Sequence, residues 1–416
     1  MPPPTTTTSA LAGSAIGGEH SGVADSSLLV ALTVTGGAAA LAWLAVLLDP
    51  ARAWDLRPTA EDDPPPRDPA EWPPIGVVVP ARNEAATLPG TLPALLAQDY
   101  PGPWTVVVVD DRSDDETATA ARSLAHDDGR LTVLEGDPLP AGWLGKVWAL
   151  QQGCDLLARA GEADYLLLTD ADIRHRPGSL RRLVAESEAG NLALNSRMAR
   201  LRTQATPERL LIPAFVFFFN LLYPMRRVND PGSGVAAAAG GCVLVRSEAL
   251  RHTGGPEAIR DQIIDDVNLA RRVKALGEPI RLATSRADVV SLREYGSLAA
   301  VWRMVRRTAF DELRYSWLRL AAAVLGLLLL FAIPPALVVL GIVLGLTGAA
   351  SPAWSVALGL TGAVAWCLMS VAYARAIRLF ELPLPWAFTL PLAGVLYGGM
   401  TIDSARRHVQ GSRGVW

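Results

Sequence analysis

Acidic residues recur in three short runs: "DDRSDDET" from Asp110, "TDADIRH" from Thr169 and "IIDDVNLARRV" from Ile263. In the second, Asp170 and Asp172 follow the apolar "YLLL", which reads as a buried strand. Strand side chains alternate between faces, so the two carboxylates are expected to aim at one point with Ala171 turned away. Held that close they repel unless a cation sits between them, and oxygen ligands suit Mg²⁺ or Mn²⁺. The plainer reading is a solvated strand end that caps the next helix. In the first run, Asp110 follows four valines. A carboxylate there needs a partner, and an acceptor-only group suits a ribose hydroxyl or a base N–H. Ser113, Asp114 and Asp115 are explained by capping the helix that follows. In the third run, Val267, Leu269, Ala270 and Val273 recur at helical spacing. This puts Asp265 and Asp266 in a first turn, where the macrodipole favours anions.

The elements that must position these acids are short β-branched runs separated by helix-length segments. "IGVVVP", "WTVVVVDD", "LTVLEGD" and "YLLLTDAD" read as strands, with "TLPGTLPALLAQ", "DDETATAARSLAH" and "VWALQQGCDLLARA" as the intervening helices. Continuous apolar strands alternating with helices predict an α/β domain with a largely parallel sheet covered on both faces. Ligands of such sheets gather beyond the carboxyl ends of the strands, where the acids stand.

Apolar residues make up 50% of the 416, and they are unevenly spread. An uncharged stretch ends at Leu48, and three more cover Leu320 to Leu346, Trp354 to Ala374 and roughly Leu382 to Ile402. These predict an integral membrane protein. The plan is an extracytoplasmic tail (1–26), a membrane helix (27–49), a Pro- and charge-rich linker (50–73), a catalytic domain (74–318) and a membrane region (319–416) with two or three crossings. No basic residue precedes the first apolar stretch, whereas Arg52, Arg57 and Arg67 follow it. The positive-inside rule then predicts an outside N-terminus and a middle domain in the cytoplasm. Arg406, Arg407 and Arg413 prefer the same side, so one C-terminal segment is expected not to cross. The proline-interrupted Leu382 to Ile402 is the candidate.

Cys154, Cys242 and Cys367 are scattered, which argues against zinc and a disulfide framework. The net charge is −3, and nothing in it points to nucleic acid. His126, His175 and His252 are isolated and read as surface or capping groups. Trp143 and Trp148 flank Lys146 and suit either a ligand pocket or packing. "LLIPAFVFFFNLLYP" is too short to span a bilayer comfortably. It is expected either to pack on the sheet or to lie in the membrane plane with Phe217, Phe218 and Phe219 toward an apolar acceptor.

Taken in order, "VVVPARNEAATL", "VVVVDDRSDDET", "GKVWALQQG" and "LLLTDADI", then "GGCVLVRSEALRHTGG" and "IIDDVNLARRVKALG", resemble the successive motifs of family 2 glycosyltransferases, whose catalytic domain has the GT-A fold. "VWRMVRRTAF" falls where many membrane members carry a Q-x-x-R-W motif, and it lacks that register, which separates the chain from processive polysaccharide synthases. "LIPAFVFFFNLLYPMRRVNDP", "VWRMVRRTAFDELRYS" and "YGGMTIDSARRH" resemble the hopene-associated glycosyltransferases more narrowly. The resemblance implies a nucleotide-sugar donor, with Asn83, Glu84, Asp110, Lys146 and Asp170 on the nucleotide side. It implies Asp172, with Asp170, around a divalent cation (Mg²⁺ or Mn²⁺). Asp266 is implied as catalytic base with Asp265 beside it, and Gly240, Gly241, Arg306 and Arg307 on the acceptor side. The expected reaction is inverting transfer to a lipid, hopanoid-type for the narrower resemblance. The rivals are a polyprenyl phosphate or carotenoid-type acceptor, and a membrane scaffold that binds nucleotide without turnover. Oligomeric state is not set by any of these features.

Overall fold

The computed structural model describes residues 20–56, 59–63, 66–125, 128–161 and 163–410. Most of the N-terminal tail, Arg57, His126 and Arg413 lie outside the described residues.

Helix α1 (His20–Leu48) and the short α2 (Thr59–Asp62) precede a run of β1 (Ile75–Ala81), α3 (Leu88–Leu96), β2 (Trp104–Asp110), α4 (Thr117–Ala125), β3 (Leu131–Glu135), α5 (Gly145–Ala160) and β4 (Tyr165–Leu168). Next come β5 (Ile173–His175), α6 (Ser179–Ala189), β6 (Leu194–Met198), α7 (Thr206–Leu222), α8 (Met225–Val228), β7 (Val243–Arg246), α9 (Ser247–His252), α10 (Asp265–Ala275), β8 (Ile280–Thr284) and β9 (Val289–Ser291). The chain closes with α11 (Leu298–Glu312), α12 (Trp317–Leu327), α13 (Ile333–Thr347), α14 (Pro352–Leu379) and α15 (Leu390–Val409). Seven strands form one sheet in the order β3-β2-β1-β4-β7-β6-β8. All its neighbours are parallel except β7, which runs against both β4 and β6. Period-2 alternation sends Val78, Val107 and Val109 into a core on one face and Val77, Val79, Val106 and Val108 into a core on the other. Helices on both faces explain why these strands are apolar throughout.

Strand β4 stops at Leu168, two residues before Asp170. A turn closed by the Ile173 N–H on the Asp170 carbonyl at 3.1 Å then leads into β5, which pairs antiparallel with β9. Asp170 and Asp172 therefore sit in a turn and not on a strand, and side-chain alternation does not govern where they aim.

Among the described residues, three helical stretches are long and apolar enough to cross a membrane: Ser26–Leu48, Trp317–Thr347 and Pro352–Leu379, with mean hydropathies of 2.0, 2.8 and 1.8. Small residues let these helices approach closely. A Cβ on Gly341 would lie 2.6 Å from the Ser355 carbonyl oxygen, and one on Gly362 would lie 2.5 Å from that of Pro334. Pro334 has no N–H for the Leu330 carbonyl four residues earlier, and the backbone widens into a π-turn at Leu328–Ala332. The Trp43 indole N–H of α1 donates to that carbonyl at 3.1 Å, satisfying a group that lipid could not. Helix α15 is not among the three. It carries Asp403 on its face toward α11, bonded to the Trp302 indole.

Helix α7 packs mainly against α11, α14 and α15, with Phe219 also reaching the core of the α/β domain. Phe217 is fully buried in a cluster with Trp43, Tyr373 and Tyr397, contributed by α1, α14 and α15. The aromatic run is thus the seam that joins the α/β domain to the membrane helices, and it offers no acceptor surface at Phe217. Two further ties fix the linker. One oxygen of Glu61 accepts hydrogen bonds from the Ser285 hydroxyl and the backbone N–H groups of Arg286, Ala287 and Asp288, at 2.8 to 3.0 Å. Burial pushes this carboxyl up, but the donors prevail and hold it below its ordinary range. Asp63 pairs with Arg281 at 2.7 Å.

Candidate active site

The carboxyl end of β4 meets the start of α10 in one cleft, lined among others by Lys146, Asp170, Gly240, Asp265 and Asp266. Lys146 stands in the first turn of α5, and its ammonium lies 2.9 Å from Asp170 and 3.3 Å from Asp265. Burial acts to lower its pKa, but the charges of Asp170, Asp265 and Asp266 overcome this and hold it above the ordinary lysine range. Asp266 opens α10 beside Asp265 and accepts the Gly240 N–H at 2.6 Å and the Val267 N–H at 2.7 Å. Burial, then the neighbouring Asp265 charge, push its pKa up to about 7, against Lys146 and the two N–H donors. A carboxylate poised there exchanges a proton readily near neutral pH.

Gly240 is held from the other side as well. Its neighbour Gly241 offers its carbonyl to the Thr169 hydroxyl at 2.7 Å. That hydroxyl spends its one proton on Gly241 and so accepts from Nε2 of His175 at 2.8 Å, which assigns the Nε2–H tautomer. His175 is buried, and burial lowers its pKa to about 4, so it stays neutral. It is neither a surface nor a capping histidine. It ties the strand end before Asp170 to the segment that holds Asp266.

Asp172 has other partners. It accepts from the Ser291 hydroxyl at 2.7 Å and from Nε of Arg293 at 3.2 Å, and the same guanidinium binds Glu84. The two carboxylates of the D-x-D are therefore each neutralised by a cation of the protein, Lys146 for one and Arg293 for the other. As hard oxygen donors they fit Mg²⁺ or Mn²⁺, which one or two carboxylates commonly hold together with substrate phosphates and water. No cluster of three or more His, Cys, Asp or Glu side chains that could hold a metal occurs among the described residues. The donor set suits an ion completed by a diphosphate better than a protein-only cage.

The remaining nucleotide-side residues lie at the ends of β1 and β2. Asp110 is buried and takes the Ser113 hydroxyl. Asn83 adopts a left-handed φ of 57° and accepts the Asp114 N–H at 2.8 Å, so its side chain braces the turn after β2. Asp115 binds the Thr117 N–H and hydroxyl and caps α4. Trp143 and Trp148 pack edge to face at 5.0 Å, and the Trp148 indole donates to the Asp137 carbonyl.

On the acceptor side the two arginines divide. Arg306 is turned to Asp403 of α15 at 3.4 Å and ties two helices together. Arg307 lies within electrostatic range of the Tyr295 phenol, as do Arg293, Asp172 and Asp170. Burial, the leading influence on that phenol, raises its pKa. Helix α10 is tied to α11 through Tyr223, which accepts from Arg271 of α10 at 3.0 Å and bonds Glu312 of α11. Arg293, Ser291, Thr169 and Tyr223 carry no motif spacing relative to the acids they serve. Of these only Thr169 lies within one of the acidic runs.

Residues 76–254 match the family model described as glycosyl transferase family 2. The chain is 28% identical over 206 residues to an N-acetylglucosaminyltransferase of Mesorhizobium japonicum, covering 46% of this chain and 43% of the relative. It is 33% identical over 124 residues to an undecaprenyl-phosphate mannosyltransferase of Micrococcus luteus, covering 29% of this chain and 46% of the relative. The chain thus spans less than half the length of either. A mannosyltransferase of Pyrobaculum calidifontis, solved in complex with GDP-Man and Mn²⁺, superposes with a TM-score of 0.53 at 22% identity, over 93% of this chain and 99% of that one. The likeness shows the fold, which is GT-A.

Proposed function

We propose that this chain, whose residues 76–254 match the glycosyl transferase family 2 model, moves a sugar from a nucleotide-sugar donor onto the hydroxyl of a membrane lipid, hopanoid-type in the narrower reading, with inversion. The observation that carries this reading is the Lys146, Asp170, Asp265, Asp266 and Gly240 constellation beside the seam with the membrane helices. Phe219, Met225 and Ala239 pack against both the domain core and the membrane-side cluster, and Ala239 precedes the Gly240 whose N–H holds Asp266.

Asp266 takes the proton of the acceptor hydroxyl as its oxygen bonds to the anomeric carbon. The bond to the diphosphate breaks on the opposite side, and the electron pair leaves with the phosphate oxygen. Lys146 holds Asp170 and Asp265 in register and limits how far Asp265 raises its neighbour. A divalent ion held by Asp170 and Asp172 would supply positive charge for the departing diphosphate. Asp110 and Glu84 are offered to the nucleoside as acceptors. We take residues 74–318 as the catalytic unit, with three crossings that keep it and the C-terminus on the cytoplasmic face of a bacterial inner membrane.

A polyprenyl phosphate acceptor is the second reading, favoured by the relative named as an undecaprenyl-phosphate mannosyltransferase. The chemistry separates the two, because a phosphate is already anionic at neutral pH and needs no base, whereas a hydroxyl does. The test is incubation of membranes with a panel of labelled nucleotide sugars, followed by mass spectrometry of extracted lipids before and after mild acid. A labelled lipid that survives mild acid supports hydroxyl transfer, an acid-labile glycosyl phosphate supports the second reading, and a water-soluble product alone contradicts both.

A further inference from the structure

Arg293 belongs to none of the acidic motifs, yet it is the cation on Asp172. It lies in the segment between β9 and α11, and its guanidinium spans Asp172 and Glu84. The two acceptors are nearly inaccessible, with side chains 9% exposed, while the Arg293 side chain is 47% exposed. Asp172 is fixed independently by the Ser291 hydroxyl, and its backbone carbonyl accepts the Leu292 N–H at 2.8 Å. The carboxylate is thus built into the turn, and the arginine is the movable partner.

The charge balance sets a constraint. Lys146 and Arg293 between them contact Asp170, Asp265, Asp172 and Glu84, with Asp266 also within range of Lys146. A diphosphate entering this cleft adds further negative charge, so it requires added cation and freed donors. A divalent ion and a guanidinium cannot both claim the same carboxylate oxygen without mutual repulsion. The guanidinium fork fits phosphate as well as it fits carboxylate.

We propose that Arg293 is an exchange cation of the donor site: it holds Asp172 and Glu84 in the donor-free protein, and transfers to the donor diphosphate when a divalent ion takes Asp172. This rests on the proposed donor site and on Asp172 as a metal-binding carboxylate. Arg293 is then a specificity device for the ion and the nucleoside diphosphate arriving together, since the ion alone displaces Arg293 from Asp172 with no phosphate to receive it, and the diphosphate alone leaves Asp172 without a cation.

The consequence is a pair of effects of opposite sign, which a purely structural arginine does not produce. In nanodiscs, Mn²⁺ binding to the nucleotide-free protein is read from the free-ion electron paramagnetic resonance signal, for the parent, Arg293→Gln, Arg293→Lys and Asp172→Asn. Arg293→Gln should bind Mn²⁺ about three- to tenfold more tightly than the parent, as expected when a partly exposed competing ion pair is removed. With Mn²⁺ saturating, the same variant should bind GDP or UDP, each titrated separately, about tenfold more weakly. Arg293→Lys keeps the charge and should stay near the parent for Mn²⁺ while losing part of the diphosphate affinity. If Asp172→Asn loses Mn²⁺ and Arg293→Gln shows unchanged or weaker Mn²⁺ binding, the exchange is wrong and the metal reading stands. If Asp172→Asn binds Mn²⁺ as the parent does, the metal reading fails and the exchange fails with it.

Discussion

Two acidic pairs, linked through Lys146, are handled in opposite ways. Asp170 and Asp172 are split between two cations, Lys146 and Arg293, and neither leans on the other. Asp265 and Asp266 are adjacent at a helix start, where Asp265 takes Lys146 and Asp266 is left with two backbone N–H groups and its neighbour's charge. The first pair is an acceptor set for positive charge, and the second concentrates a raised pKa on one carboxyl. Carboxylates with separate partners suit a donor site, whereas carboxylates that must share one suit proton transfer.

A large effect should come from removing a charge of the first pair. Asp172→Asn keeps the Ser291 contact but loses the anion, and transfer should fall by a hundred- to a thousandfold or so, with divalent-dependent donor binding lost. Activity that is undiminished in excess chelator would erase the distinction between the pairs. Next, the cation can be withdrawn from the second pair. Lys146→Gln removes the charge that restrains Asp266, so the pH at which transfer reaches half its maximum should move upward by about one unit. Asp265→Asn removes the charge that raises Asp266 and should move the same midpoint downward, with a smaller loss of rate. Shifts of the same sign for both variants would show that the two acids do not compete for Lys146.

What could be read without coordinates follows the same divide. Val106 to Val109 ending in Asp110, and "YLLL" ending near Asp170, announce a parallel sheet and its polar rim because strand burial and strand-end chemistry are local. The apolar stretches announce the membrane helices for the same reason. The destinations of the acids were not legible. The pairing of Asp172 with Arg293 joins residues 121 positions apart. The turn at Asp170 to Ile173 breaks the alternation that the sequence invites. Phe217 and Arg306 suggest an acceptor surface, yet one is buried in the membrane-side seam and the other is tied to Asp403, because both depend on where the C-terminal helices return.

The smallest expected effect lies outside both pairs. Glu61→Ala leaves the four donors of Ser285 to Asp288 without their acceptor and should cost roughly 1–2 kcal/mol of stability near pH 7. The Glu61 carboxyl sits below its ordinary range in the folded protein, so its contribution is full above the unfolded carboxyl value and is lost as pH falls through the folded value. Thermal unfolding of the parent and of Glu61→Ala should therefore converge in acid. A gap that stays constant would assign the loss to packing alone.

The central claim is that Asp266 is the base for a lipid hydroxyl, and it is tested most directly by the pH dependence of lipid glycosylation in the parent and in Asp266→Asn, with donor affinity measured in the same nanodiscs. The Asp266 carboxyl is raised, so the parent rate should climb as pH rises through about 7 and then level. Asp266→Asn should fall by about a hundred- to ten-thousandfold, lose that rise and keep its donor affinity. A variant that transfers sugar at the parental rate with the parental pH profile would contradict the account.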